Sequence, residues 1–224
     1  MGLKVNRRLR RVLKCTGVAV LALFLICIAI VVYNEHQMAN NRPPRKEPVS
    51  KANPDVDETI PTEKQVAEYT VAPNKPRYLS IPSLGVKNAI VREVGILKDG
   101  RLGTPVNIFD TAWYNASALP GSGSGAVLID GHNGGPTLDG VFKRLGSLKE
   151  GAILTIERGD GQKFNYLVAE KQILSVAETD SYMSTLLQSV EPGKEGLSLI
   201  TCTGTWNNAN GTYDKRVTIR AVRE

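Results

Sequence analysis

Hydrophobic and polar positions divide the chain into three regimes. A basic opening, residues 1–14, leads into 20 residues from Cys15 to Asn34 that carry no charge and are mostly Val, Leu, Ile, Ala or Phe. At about 1.5 Å of rise per residue, a helix of that length covers the roughly 30 Å hydrocarbon core of a bilayer. Residues 15–34 therefore predict one membrane-spanning helix. A cleaved secretion signal would have a shorter apolar region ending in small residues, and Val31, Val32, Tyr33 and Asn34 offer no such cut, so the pattern favours an uncleaved anchor. Residues 35–76 lose the apolar density and hold seven of the twelve prolines. Proline fixes its own φ and biases its predecessor away from helix, which predicts a semi-extended tether. Within it, Glu63 to Tyr69 suits a short helix packed on the following domain.

From residue 77 to 224 the apolar residues come in short runs parted by turn signals. The runs are Tyr78–Ile81, Ala89–Val91, Ala126–Ile129, Ile153–Ile156, Phe164–Val168 with continuation to Val176, Leu197–Ile200 and Val217–Val222. This spacing, with 19 of the 21 glycines, predicts a single all-β domain, a barrel or a sandwich. Two helical interruptions are expected. Val141, Phe142, Leu145 and Leu148 fall at helical spacing and stop at Lys149-Glu150-Gly151; Tyr182 to Leu187 forms a second stretch, capped by Asp180 or Ser181. Neither separates strands regularly enough for a doubly wound α/β sheet.

The net charge of +6 at first suggests an anionic partner. Six of the 28 basic residues, Lys4, Arg7, Arg8, Arg10, Arg11 and Lys14, lie in the acid-free opening, leaving 22 basic against 22 acidic residues in the remainder. A folded basic groove for nucleic acid is therefore excluded. The same cluster places residues 1–14 in the cytoplasm and everything after Glu35 outside, by the excess of Lys and Arg on the inner side of membrane helices.

On that outer side Cys202 is the only thiol, since Cys15 and Cys27 belong to the apolar segment. It has no partner for an internal disulfide. It follows Leu197-Ser198-Leu199-Ile200-Thr201, a buried-strand pattern, and ends that strand where a loop begins. Composition and position leave a reactive role and burial in a core both open. His132 is likewise the only imidazole of the domain, after Ala126–Gly131 and before Asn133-Gly134-Gly135. One Cys and one His at strand ends suit a thiol with an acid–base partner and are too few for a structural zinc site. Arg216 opens the strand that returns after Cys202; antiparallel pairing would set it opposite the thiol, where a guanidinium stabilises an oxyanion. Arg220 is its rival on the same face. Asp130 shares a strand face with His132 and is a candidate to orient the ring. Glu178 and Asp180 lack the spaced oxygen ligands of a calcium loop, and no metal or cofactor is expected. Gly121-Ser122-Gly123-Ser124-Gly125 reads as a turn, not a serine-hydrolase elbow.

Ser198-Leu199-Ile200-Thr201-Cys202 resembles the sortase signature Thr-Leu-x-Thr-Cys, with Ser198 in the place of the usual Thr. Gly131-His132 after an apolar strand and Arg216, 14 residues beyond the Cys, resemble the family's catalytic His and Arg, and the stretch Thr104-Pro105 through Trp113-Tyr114 to Pro120-Gly121 is also similar. The likeness spans residues 77–224. It implies an eight-stranded β-barrel with short helices and a cysteine transpeptidase acting on an LPxTG-like sorting motif, with an amine of cell-wall peptide or another protein as acceptor. It implies a substrate groove along Val176–Gly196, whose Met183, Leu186 and Leu187 would form an apolar wall, with Thr201 beside the nucleophile helping to hold the substrate. No pilin-type lid segment and no second apolar segment at the carboxyl end are read, which favours a general anchoring class or a less characterised single-pass class over a pilin polymerase. A cell-envelope cysteine peptidase, which would usually show Ser-His-Gly-Cys, and a non-enzymatic tethered binding barrel are the alternatives.

Overall fold

The computed structural model describes residues 56–207 and 211–224, together with Ile28 and Ile30, which are helical and exposed. The basic opening, the segment expected to span a membrane and the first part of the tether otherwise lie outside the described residues. Among the described residues no helix is long and apolar enough to cross a membrane.

Eight strands arise where the apolar runs are expected, with one addition: β1 Pro76–Ile81, β2 Val86–Val94, β3 Thr111–Tyr114, β4 Ala126–Gly131, β5 Ile153–Arg158, β6 Lys163–Ser175, β7 Gly196–Asn207 and β8 Thr212–Arg223. They close into a barrel in the order β1-β2-β3-β4-β7-β8-β6-β5. Closure leaves no unpaired edge. The added strand is β3, whose short Thr-Ala-Trp-Tyr run carries too little alternation to stand out; it pairs parallel to β2 and antiparallel to β4.

The parallel pair β4–β7 organises the rest. Ala126 lies opposite Gly196 and the register runs without a slip to Asp130 opposite Ile200. Both strands read as continuous apolar runs because both of their faces are covered. Val127 and Ile129 of β4 join Leu197 and Leu199 of β7 and Val217 and Ile219 of β8 inside the barrel. On the outside, Leu128 and Ile200 are buried beneath Leu186.

Leu186 belongs to the longest helix among the described residues. Helix α1 is the expected short one at Glu63–Glu68, and helix α2 spans Val176–Leu186 and starts earlier than the hydrophobic spacing predicts. The reason is a capping box: the Glu178 amide donates to the Ser175 hydroxyl at 3.3 Å and the Ser175 amide to the Glu178 carboxylate at 2.7 Å. This cap turns the β6 run into helix at Val176, so neither Asp180 nor Ser181 is the cap. The helix expected at Val141–Leu148 is replaced by turns that finish in one 3₁₀ turn, Leu145–Ser147. The amides that would begin it bond elsewhere, Val141 to the Ile108 carbonyl and Phe142 to the His132 carbonyl, both at 2.9 Å.

The described part of the proline-rich stretch lies against the barrel. The Tyr69 hydroxyl donates to the Val91 carbonyl at 2.7 Å, Arg77 Nε donates to the Tyr69 carbonyl at 2.7 Å, and the Tyr78 hydroxyl donates to the carbonyl of Val66 in α1.

At one end of the barrel the Gly121–Gly125 turn has an anchoring role. Glu195, 2% exposed, accepts the amides of Gly121 and Gly123 at 3.0 Å each and the Tyr166 hydroxyl. Gly121 sits at φ 86°, and a Cβ there would lie 2.8 Å from the Phe164 ring. Replacing Glu195 by Ala strands the buried Tyr166 hydroxyl and releases the two amides of the exposed turn, and should cost about 2 kcal/mol, a fall in melting temperature of roughly 4–8 °C, while Glu195→Gln, which keeps an acceptor, should cost less; thermal denaturation reads both.

Candidate active site

His132 is placed by the end of β4 and by the loop before β3. Gly131, the last residue of β4, faces the barrel interior under Phe142, and a Cβ on it would lie 2.6 Å from the Phe142 ring. Only glycine lets the strand end pack this closely. The next residue turns its ring outward, and its Nε2–H donates to the Pro105 carbonyl at 2.7 Å. Since a carbonyl only accepts, the proton of the neutral ring sits on Nε2, leaving Nδ1 as the nitrogen able to exchange a proton.

Cys202 is brought to that ring by the β4–β7 register. The Thr201 hydroxyl, 2% exposed, donates to the Gly131 carbonyl at 2.7 Å. This bond joins the residue before the thiol to the residue before the imidazole, so the parallel register carries Cys202 and His132 to neighbouring positions on the outer face. Thr201 itself points inward. Its hydroxyl fixes the two strand ends and is not open to substrate, unlike the expectation for it.

Arg216 comes from β8. Antiparallel pairing sets Cys202 directly opposite Arg216, as the strand–loop–strand reading predicts, although the strands run further into the hairpin than expected, to Asn207 and from Thr212. Its guanidinium donates to the carbonyls of Tyr213 and Lys215 at 2.9 Å and to the Thr212 hydroxyl at 3.2 Å. These bonds pin the fork without neutralising it by a surface acid. Arg220, the rival, is buried and bonds Glu170 at 2.8 Å and the Gln188 carbonyl at 3.2 Å. It holds β6 and the segment after α2 to β8.

Just past the nucleophile the ladder slips between Thr203 and Trp206, with Gly204 at φ 85° and the Thr205 amide donating to Asp214 at 2.7 Å. A Cβ on Gly204 would lie 2.1 Å from the Asp214 carboxylate oxygen. The bulge bends the strand immediately beyond Cys202.

The electrostatics of the site are set by burial. The Cys202 thiol is free and half-buried, and desolvation holds it above the ordinary thiol value; Arg216 and a hydrogen bond with Thr212 act to lower it, and Asp130 to raise it. Desolvation holds His132 below the ordinary imidazole value, against the opposing Pro105 bond. Asp130, on the outer face of β4, is pushed up to about 7 by desolvation, despite the Gly131 amide and Arg216. It does not orient His132, whose ring bonds the Pro105 carbonyl instead; its field acts on Cys202 and Arg216.

Of the remaining predicted residues, Leu186 is fully buried against Leu128 and Ile200 and has no surface of its own to offer a substrate. Met183 and Leu187 are half-buried around it, with Leu102, Tyr114 and Tyr182. Among the described residues no group of three or more His, Cys, Asp or Glu side chains is arranged to hold a metal ion.

The model of the Sortase domain matches residues 79–224, which contain the whole arrangement. The chain belongs to the sortase family. Sortases are cysteine transpeptidases, and so is this chain. The barrel is similar to several solved sortases. One is the SrtA sortase of Actinomyces oris, with 17% identity over 70% of this chain and 83% of that one and a TM-score of 0.50. Sortase C-1 of the same organism shares 22% over 78% and 89%, also at 0.50. The pilus-related sortase C of Group B Streptococcus shares 20% over 84% of each chain, at 0.50. Among curated proteins nothing matches.

Three contributors to this sortase site were not foreseen from the sequence. Pro105 acts through its backbone carbonyl, which carries no side-chain signal. Thr212 lies in a polar hairpin where composition says only loop. Phe142 sits in what reads as a helix, and the glycine it covers is the better clue.

Two outcomes follow for this sortase. Alkylation of Cys202 at neutral pH should be slower than that of a free thiol and rise with pH; Asp130→Asn should move that rise to lower pH and Arg216→Gln to higher pH, as read by rates of iodoacetamide labelling. Thr201→Val should cost about 1–2 kcal/mol in denaturant unfolding, because the Gly131 carbonyl stays buried without its partner.

Proposed function

We propose that this sortase is held in the cell membrane by residues 15–34, with its amino terminus in the cytoplasm and its catalytic barrel outside, and that it joins proteins bearing an LPxTG-like sorting signal to an amine. The acceptor amine belongs to cell-wall peptide or to another protein. The observation that carries this reading is the placement of Cys202 opposite Arg216 and beside His132, at one mouth of the barrel.

The Cys202 thiolate attacks the carbonyl carbon between Thr and Gly of the motif. Arg216 stabilises the oxyanion that develops. The imidazolium of His132 gives its Nδ1 proton to the departing amine, the C–N bond breaks, and a thioacyl enzyme remains. The incoming amine then loses a proton to the now neutral His132 and displaces the sulfur as thiolate, forming a new amide and restoring the thiolate–imidazolium pair. Nε2 stays bonded to the Pro105 carbonyl throughout, so the ring keeps its orientation while Nδ1 cycles. Leu102, Tyr114, Met183 and Leu187 offer the apolar surface for the Leu-Pro part of the motif.

Because burial lowers His132 and raises Cys202, the thiolate–imidazolium pair is the minor form at neutral pH. The profile of kcat/KM against pH should be a bell, its acid limb below the ordinary imidazole value and its alkaline limb above the ordinary thiol value. The full-length chain in detergent, given an LPxTG peptide and a primary amine, should yield a ligated product that vanishes in Cys202→Ala, His132→Ala and Arg216→Ala. Cleavage of unrelated peptides, or ligation that survives Cys202→Ala, would contradict the proposal.

A further inference from the structure

The middle of the tether, at Asp57 and Glu58, contacts both segments that hold His132. Asp57 forms a parallel bridge with Asn107: its amide donates to the Val106 carbonyl at 2.8 Å, and its carbonyl accepts the Ile108 amide at 2.9 Å. The Asn107 side chain returns the contact, donating to the Asp57 carboxylate at 3.0 Å and to the Thr59 carbonyl at 2.7 Å. This is the segment whose Pro105 carbonyl holds the imidazole. One residue on, the Glu58 carboxylate accepts the Thr137 and Leu138 amides, each at 2.9 Å, and the Thr137 hydroxyl. Those donors form the tip of the loop that leaves His132. The loop closes on itself through a Gly134–Asp139 bridge and returns through the Phe142 amide, which donates to the His132 carbonyl at 2.9 Å.

We infer that Asp57 and Glu58 form a strap across the two His132-bearing segments, and that Glu58 is a positioning residue for the transpeptidation, acting through the imidazole from outside the matched domain. Three features carry this. The strap reaches the ring from two sides, through Pro105 in front and residues 133–140 behind. The Glu58 carboxylate gathers three donors of one short turn, a charged acceptor in a geometry that fixes backbone position. Gly135 is shaped to receive it, since a Cβ there would lie 2.4 Å from the Glu58 carboxylate oxygen. Residues 57 and 58 precede the matched segment 79–224, so the barrel's site is completed by chain that leads, in our reading, directly to the membrane.

This inference rests on the proposed role of His132, and its physical consequence is local. With the strap released, the turn at 133–140 and the segment at 105–108 lose their common tie and water reaches the ring. Burial is the larger influence holding His132 down and the Pro105 bond the smaller, so the ring's midpoint moves up. The ionisable groups on the adjoining strands, Asp130 on β4, Cys202 on β7 and Arg216 on β8, do not touch the strap and keep their places.

The test uses the full-length chain in detergent micelles with His36→Gln, so that His132 supplies the only imidazole signal, and follows its ring resonances against pH by NMR. Glu58→Ala should raise the His132 midpoint toward the ordinary value and lower kcat for a sorting peptide about tenfold, with KM little changed, since a misplaced proton donor costs turnover more than binding. Glu58→Gln, whose carbonyl still accepts the turn amides, should restore most of both. Thr137→Ala, which removes one donor and leaves the fold intact, should shift the midpoint in the same direction by less. Glu68→Gln, elsewhere on the same segment, should shift neither. A His132 midpoint unchanged in both Glu58→Ala and Thr137→Ala would overturn the strap, and so would a kcat that follows melting temperature alone. The ring titration needs no substrate. A peptide that fails to turn over in the parent chain counts against the proposed reaction, whereas an unmoved midpoint counts against the strap.

Discussion

The site depends on the parallel pairing of β4 with β7 and on the hydrogen bond that ends it, Thr201 hydroxyl to Gly131 carbonyl. Parallel strands cannot be joined by a tight turn, so the residues it unites are 70 apart in the chain and separated by β5, β6 and α2. Each strand is buried on both faces, inside by the barrel core and outside beneath Leu186, which leaves no freedom to slip by a residue. A slip of one would turn Cys202 inward and Thr201 outward. The hydrophobic core thus fixes chemistry as well as stability, because the register that buries Ile129 beside Leu199 also sets the thiol beside the imidazole.

Burial works against the charges that the proposed reaction requires. Desolvation raises the thiol and lowers the imidazole, which disfavours the ion pair in both partners. Arg216, directly across the ladder from Cys202, acts in the opposite sense on the thiol, and in the proposed reaction it also faces the oxyanion. Asp130 opposes Arg216 in its effect on the thiol. Pro105 opposes burial at the ring and fixes which nitrogen is left free. A barrel mouth that is half-buried, framed by one bulge beyond Cys202 and one strap behind His132, makes these opposing influences local and directional.

Much of this is legible in the sequence where side-chain chemistry and period-two alternation coincide. Seven strands, the pairing of Cys202 with Arg216 and the placement of His132 at a strand end follow from short apolar runs bounded by glycine. The parts that are not legible are those settled by backbone atoms or by tertiary competition. The Pro105 carbonyl has no signature. The spacing of Val141, Phe142, Leu145 and Leu148 is helical, yet the Val141 and Phe142 amides go to the Ile108 and His132 carbonyls, and the Leu145 and Leu148 amides close only three-residue turns, to Phe142 and Leu145. Asp130 and Arg220 satisfy the same parity arguments as the residues they compete with, and only the ladder partners separate them. The tether reads as a spacer because proline content describes its backbone and says nothing of the carboxylates of Asp57 and Glu58.

The central claim is that Cys202 is the atom through which the acyl group passes. The most direct measurement is intact-protein and peptide mass spectrometry of the full-length chain, quenched with acid while it turns over an LPxTG peptide without added amine. The account predicts a covalent adduct of the peptide truncated after its Thr, located on Cys202, that disappears when amine is supplied. Peptide cleavage with no adduct on Cys202, or with the adduct on another residue, would contradict it.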